Sequence, residues 1–553
     1  MPDPRHEATN QVPELVDYNL FTTDTALVEG VRRAGAGWHE QHLSYLGLEY
    51  GGEEIFHLGD QANKYTPELI NYDALGRRID VVEYHQSWHT LLHLARREGL
   101  QASAWVQPKA GAHVARAASY FLHYQVEAGA LCPVTMTFAA IPVLQNEPVL
   151  FDALRNKLFA TEHDKRDLPI EKKHSIMVGM GMTEKQGGSD LRTNTTHARP
   201  LNSRSGRGAG YLLTGHKWFF SAPMCDAHLV LARSSDDSLS CFFVPRWRPD
   251  DSKNAVNILR LKDKLGNRSN ASSEVEFDQA WGMMIGEEGR GIQTLIEVAS
   301  TTRFDCVIGS AALMRQALVQ ALHHTRHRNA FGKRLADQPL MRNVLADLAL
   351  ESEAATVLML RLASAFDAGQ HDPANALEQA WRRIVTPAAK FWVCKRALEF
   401  TGECMEIWGG NGYVETGPLA RLYREAPVNS IWEGSGNIMC LDVLRAIDRD
   451  PEGFERLMKE LQEPANAEPE LQKLLTALRS DLDQPAEKRE ALARRITQRL
   501  VLALQGSLML QHAPLSSAEA FIGSRTDADG GRVFGTLSNA QLEQEILERA
   551  WAV

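Results

Sequence analysis

The feature that most limits what this chain can fold into is a change of texture that happens twice. From about residue 291 onward, apolar residues recur at helical spacing over stretches far longer than a loop. Phe304, Val307, Ile308, Ala311, Met314, Ala317, Leu318, Ala321 and Leu322 fall at i, i+3, i+4, i+7 intervals, and residues 339–366 and 377–408 behave alike. Between Ser175 and about residue 290 the pattern is instead short apolar runs and turns. Tyr211–Thr214, a turn at Gly215 and Trp218–Phe220 read as one hairpin, His228–Ala232 with Cys241–Pro245 as another, and Glu274–Phe277 alternates. Residues 1–175 are helical in periodicity, most clearly over Val82–Leu94 and Val114–Val126, behind a polar N-terminal arm. A strand-rich block of about 110 residues is too long for a connection and must be a domain. The expectation is a mainly α chain with a central antiparallel β domain. The parts are a helical domain with its arm at 1–175, the β domain at 176–290, a four-helix bundle at 291–447 and a helical extension at 448–553.

Composition closes off several classes. A net charge of −10 argues against a surface that coats nucleic acid generally. Cys132, Cys225, Cys241, Cys306, Cys394, Cys404 and Cys440 are odd in number and lack a C-x-x-C pair, so neither a disulfide framework nor a zinc site is suggested. The N-terminus has no apolar signal core and no run is long enough to span a bilayer; a soluble cytoplasmic protein without membrane contact is expected. His85, His89 and His93 fall at i, i+4 and i+8, but without a supporting carboxylate or thiol they read as a helix surface, and no metal is expected. The Gly- and Asp-rich run Gly523–Gly535 reads as a loose tail.

One stretch carries the chemistry. In Ser430-Ile431-Trp432-Glu433-Gly434-Ser435-Gly436-Asn437 a carboxylate lies between two large apolar residues and two glycines, ahead of an apolar run. A flanked, desolvated carboxylate is a candidate general base, and glycines let backbone amides approach a ligand. The same residues also fit a plain capping box, with Ser430 and Glu433 closing the start of a helix.

Five motifs in order resemble the acyl-CoA dehydrogenase family of flavoproteins. They are Met182-Thr183-Glu184 with Gly188-Ser189-Asp190, Gly215 to Ser221, Arg328 to Gly332 with Gln338, Trp408 to Tyr413, and Ile431 to Gly434. The wording of Gly179–Asp190, Lys262–Ser272 and Pro427–Asp442 is similar to the AidB branch, tied to the bacterial adaptive response to DNA alkylation. The resemblance covers roughly residues 15 to 445 and is weakest beyond 450.

The resemblance implies FAD, bound between the β domain and the bundle and shared between subunits of a homotetramer, a dimer of dimers. It assigns Met182, Thr183, Ser189, Phe219, Phe220 and Ser221 to the flavin, with Phe219 on the ring face and Ser221 near N5. Arg328, Phe331, Gln338, Trp408, Gly409 and Gly410 fall to the diphosphate and adenosine of a neighbouring subunit's FAD. Ile431, Trp432, Gly434, Ser435 and Asn437 go to the same cofactor, and Glu433 matches the catalytic base. Where some members carry that base on a bundle helix, this chain has Thr302, with Arg303 beside it as a candidate substrate contact. The implied partners are an acyl-CoA or other small-molecule substrate, an electron-accepting flavoprotein and duplex DNA. For DNA the resemblance and the charge disagree: residues 446–553 hold 13 basic against 18 acidic side chains. Lys488, Arg489, Arg494, Arg495 and Arg499 form the candidate cluster, with a solvated helix face as the alternative. Two other functions stand beside the first: a dedicated acyl-CoA dehydrogenase without DNA binding, and a flavin oxidase or monooxygenase acting on nitroalkane or alkylated compounds.

Overall fold

The structure is a computed structural model that describes residues 9–235, 237–526, 534, 537 and 543–551. The chain divides into two compact units, Glu54–Lys109 with Val126–Asp305, and Met1–Glu53 with Ala110–Gln125 and Cys306–Val553.

The first of these is built on a barrel. Strands β1 (Glu68–Tyr72) and β2 (Arg78–Glu83) pair as a separate hairpin. Strands β3 (Val178–Gly181), β4 (His197–Pro200), β5 (Gly210–Ser221), β6 (Ala227–Arg233), β7 (Leu239–Pro245), β8 (Val256–Leu261) and β9 (Ser272–Ile285) then form one sheet. β5 pairs with β4 and β9, β9 with β7, and β7 with β6; a single pairing of His197 with Arg233 joins β6 to β4 and closes the ring. The pairing is antiparallel except at β6, which runs parallel to β3 and meets β4 in parallel at that closing pair. Tyr211, Leu213, Val230, Phe242, Val275 and Phe277 fill the interior.

Two expectations fail in this unit. Gly215 is not a turn: β5 is one strand, irregular between Leu213 and Thr214, because β9 supplies backbone partners along both halves. Glycine is needed there for close approach, since a Cβ would meet Thr196 Oγ1 at 2.5 Å. Nor is Val82–Leu94 one helix. Val82 belongs to β2, and the helix runs Gln86–Arg97. The histidines of that segment also differ in role. His85 caps the helix by accepting from the Ser87 amide, and His89 stacks on His163 with ring nitrogens 3.0 Å apart. Among the described residues no group of His, Cys, Asp and Glu is arranged to hold a metal.

The second unit is helical. Its helices include Pro339–His371, Thr386–Ile407, Pro418–Ile431, Gly436–Arg449 and Ala493–His512, with the helix Gly291–His327 contributing from Cys306 onward. In Gly436–Arg449 the apolar run read from the sequence forms a helix whose buried face includes Met439, Cys440, Val443, Leu444 and Ile447. The capping-box alternative is overturned: Ser430 lies inside the preceding helix, and Ser435 occupies the N-cap without a side-chain cap bond. The helix expected near Glu487–His512 is interrupted at Leu492 into Ala486–Ala491 and Ala493–His512. Residues 523–526 end the helix Leu515–Thr526; the remainder of the expected tail, apart from Phe534, lies outside the described residues, as do residues 1–8 of the arm. All seven cysteines are buried, and none is in a disulfide. No described helix is long and apolar enough to cross a membrane.

Candidate active site

In the barrel unit, the loop after β3 and the end of β5 bring the predicted residues together. The Thr183 carbonyl accepts from the Trp218 amide at 2.8 Å, and the Met182 carbonyl from Asn194 Nδ2 at 2.8 Å. Gly188 closes on Thr183, where a Cβ would stand 2.6 Å from Oγ1, and Ser189 is exposed beside it. Phe219 is 50% exposed, with Lys262 Nζ 4.5 Å from its ring centroid. The Ser221 hydroxyl lies 3.4 Å from that of Ser272. Phe220 does not join this set. Its ring is buried and stacked on His228 at 3.8 Å, because neighbouring residues of a strand face opposite ways.

The charged members of the same motifs are structural. Glu184 and Lys217 form an ion pair at 2.7 Å with neither side chain exposed. Glu184 also accepts from the amides of Thr195 (2.7 Å) and Thr196 (3.1 Å). Burial pushes its carboxyl up, but the Lys217 charge and these donors outweigh that and hold it at about 2.

In the helical unit, Glu433 lies in a short loop between Pro418–Ile431 and Gly436–Arg449. Its backbone is left-handed (φ 57°), as is that of Gly434 (φ 108°). The carboxylate residue is half-buried, whereas Ile431 is 65% exposed and does not cover it within the chain. Trp432 turns its indole N–H onto Asn429 Oδ1 (3.1 Å), and Asn429 Nδ2 reaches Tyr124 Oη (3.1 Å) and Ser310 Oγ (3.2 Å). Asn437 accepts from Arg494 Nε at 2.8 Å. Farther along, Asn329–Ala330 and Lys333–Arg334 make a two-residue hairpin whose tip, Phe331 and Gly332, has positive φ at both positions. Phe331 is 94% exposed. Arg328 donates to the Asn10 carbonyl, and Gln338 Nε2 donates to the Ala330 carbonyl at 3.1 Å. Trp408 stacks on His324, and Gly409 and Gly410 have open space where a Cβ would stand.

Family models match in three stretches: Adaptive response protein AidB N-terminal domain over residues 10–165, Acyl-CoA dehydrogenase, middle domain over 179–280, and Acyl-CoA dehydrogenase, C-terminal domain over 289–447. AidB of Escherichia coli (strain K12) is 46% identical over 99% of this chain and 98% of its own length. The chain belongs to the AidB branch of the acyl-CoA dehydrogenase family. It is therefore a flavoprotein with FAD as cofactor, of the oxidoreductase class that acts on CH–CH donors. Acyl-CoA dehydrogenase family member 11 of Caenorhabditis elegans is 29% identical over 84% of this chain and 79% of its own. Among solved structures, Bd2924 in its apo form has a TM-score of 0.84 at 28% identity, covering 91% of this chain and 100% of that one. Caenorhabditis elegans ACDH-11 in complex with C11-CoA has 0.83 at 25%, covering 94% and 92%.

Within this AidB-type chain the remaining predicted residues divide. Thr302 is buried and its hydroxyl donates to the Ala299 carbonyl at 3.2 Å, so the alternative base position holds no base; Arg303 beside it is half-buried. In the basic cluster, Arg489 pairs with Asp448 (2.7 Å), Arg495 with Asp481, and Arg499 with Asp481. Three of the five expected cations therefore face carboxylates; Lys488 lies in the short helix Ala486–Ala491. Sequence reasoning missed Lys390, Asn429, Tyr124 and Ser310, which surround the Glu433 loop. No sequence signal singles them out: Lys390 lies in Thr386–Ile407 among other charged residues such as Lys395, Arg396 and Glu399, and its burial is visible only in the structure.

Proposed function

We propose that this protein oxidises the Cα–Cβ bond of an acyl-CoA thioester, with Glu433 as the general base. The observation that carries the reading is the left-handed backbone of Glu433. For a residue with a Cβ that conformation costs on the order of 1–2 kcal/mol, and it persists where the surroundings over-determine it, as they commonly do at active sites. The residues also fit the family cofactor. An isoalloxazine needs an apolar wall and a few fixed donors, and the half-exposed Phe219 with the hydroxyls of Thr183, Ser189 and Ser221 supplies both. The open glycine backbone at 409–410 and the guanidinium of Arg328 suit a diphosphate and adenosine.

FAD, when bound, supplies the hydride acceptor. Glu433 takes the proton from the carbon next to the thioester carbonyl, and its own backbone N–H donates to the carbonyl oxygen as enolate charge develops there. Electrons then pass to an electron-transferring flavoprotein. The same reading includes a homotetramer, in which Phe331, almost wholly exposed at a hairpin tip, would be covered. Anaerobic bleaching of the flavin by a panel of acyl-CoA thioesters tests the reading. Bleaching by at least one of them in the native protein, abolished in Glu433→Gln, is the expected result; absence of bleaching across the panel overturns it.

A second role, duplex DNA binding in the response to alkylation damage, is supported by the identity to AidB, which runs through the extension. The carboxylates on Arg489, Arg495 and Arg499 oppose it. A salt titration with duplex DNA decides between these: binding at about 50 mM salt that weakens steeply by about 200 mM is expected, and none at the lower salt removes the role.

A further inference from the structure

Lys390 is 1% exposed, within the helix Thr386–Ile407. Its ammonium donates to the Trp432 carbonyl at 2.7 Å and to the Gly434 carbonyl at 2.6 Å. These are the carbonyls immediately before and after Glu433. Taking an ammonium out of water costs several kcal/mol, so a buried one persists only where strong acceptors meet it. Here the acceptors are main-chain oxygens, and they belong to one three-residue loop.

The consequence follows from peptide geometry. Each peptide unit is planar, and no cis bond occurs among the described residues. In a trans unit the N–H points opposite to the C=O. With the Trp432 carbonyl turned onto Lys390, the Glu433 N–H is directed away from it; with the Gly434 carbonyl turned the same way, so is the Ser435 N–H. Two peptide planes, 432–433 and 434–435, are thereby fixed on either side of the two-residue turn Glu433–Gly434, both of whose residues have positive φ (57° and 108°). Trp432 is held separately, by its indole N–H on Asn429.

We infer that Lys390 is a positioning residue for the reaction: by clamping the carbonyls of Trp432 and Gly434 it holds the two-residue turn that contains the left-handed Glu433 and aims the Glu433 N–H at the substrate carbonyl. This rests on the reading of Glu433 as base and adds the group that orients it. A merely structural lysine would lower stability when replaced but leave the loop's conformation and the ratio of kcat to KM as they were.

The test compares Lys390→Met, which keeps the chain length and removes the donors, with Lys390→Gln, which keeps a neutral donor. Both are prepared as flavoprotein and read in two ways. In steady-state turnover with whichever acyl-CoA bleaches the native protein, kcat falls at least 100-fold in Lys390→Met and at least tenfold in Lys390→Gln, with KM within threefold. In amide hydrogen exchange, the peptide covering 430–437 exchanges at least tenfold faster in either variant while the helix Pro339–His371 is unchanged. A kcat within threefold of native in Lys390→Met, or unchanged exchange over 430–437, overturns the inference; if Lys390→Met does not fold, the same outcomes in Lys390→Gln decide. Should the native protein turn over no acyl-CoA, the base reading fails, and the exchange measurement alone still judges the clamp.

Discussion

The two motif-bearing regions of this protein use their charged residues in opposite ways. Around β3 and β5, two of the motif charges, Glu184 and Lys217, are fully buried against each other, while Asp190 is exposed and pairs with Arg192; an aromatic ring and hydroxyls also face outward. Around Glu433 the motif's charge is the half-buried, left-handed residue at the loop's centre, and the buried charge that steadies it, Lys390, lies 42 residues before Trp432. A motif residue with a charge is therefore not by that fact a reacting residue. Burial with a partner makes it scaffold; a left-handed loop position with its backbone externally held is what supports the proposal of Glu433 as a reacting residue.

The contrast breaks most readily at Glu433. Glu433→Gln should slow flavin reduction by acyl-CoA about 10³-fold, the usual worth of a general base, without lowering flavin content, as stopped-flow absorbance would show. A comparable loss of bound flavin would instead place Glu433 with the scaffold. Lys217→Met should act the other way, removing about 3–5 kcal/mol of stability in denaturant unfolding because it strands a buried carboxylate. If that variant were as stable as the native protein but slower, the division between the two regions would be wrong.

Acid sharpens the same point. Glu184 sits at about 2 in the fold against an ordinary 4.5, so the folded state binds fewer protons than the unfolded chain between those values. Its stabilising contribution is complete above about 4.5 and is lost as pH falls toward 2. Circular dichroism across that window should show a shallower acid transition in Glu184→Gln than in the native protein. The smallest effect is a comparison of neighbours. Phe220→Ala should cost about 3–5 kcal/mol of stability, as for a buried aromatic, while Phe219→Ala stays within about 0.5 kcal/mol and weakens flavin retention instead. Equal stability losses would show that both rings are core.

Much of the architecture is legible in the residue pattern. Helical periodicity in residues 304–322 and the alternation at 274–277 are local signals, set by which side of an element must be apolar. The unbroken run of β5 is not legible there, because Gly215 looks like a turn until β9 is known to pair with both halves of the strand. Phe219 and Phe220 read alike for a similar reason: strand alternation says that they differ, but which one faces the core depends on where His228 lies. Arg495 and Arg499 read as part of a basic face because Asp481, their common partner, is distant in sequence.

By itself, the sequence determined the order of elements and the family, and it singled out Glu433 as the proposed base, since these reside in spacing and in motifs a few residues long. Which charges are scaffold, which way the loop's peptide planes face and what holds Glu433 in a conformation it would not choose alone were decided by the tertiary structure. The reason is that desolvation and hydrogen-bond partnership are properties of neighbours in space, and for Lys390, Asn429 and Tyr124 those neighbours are far away along the chain.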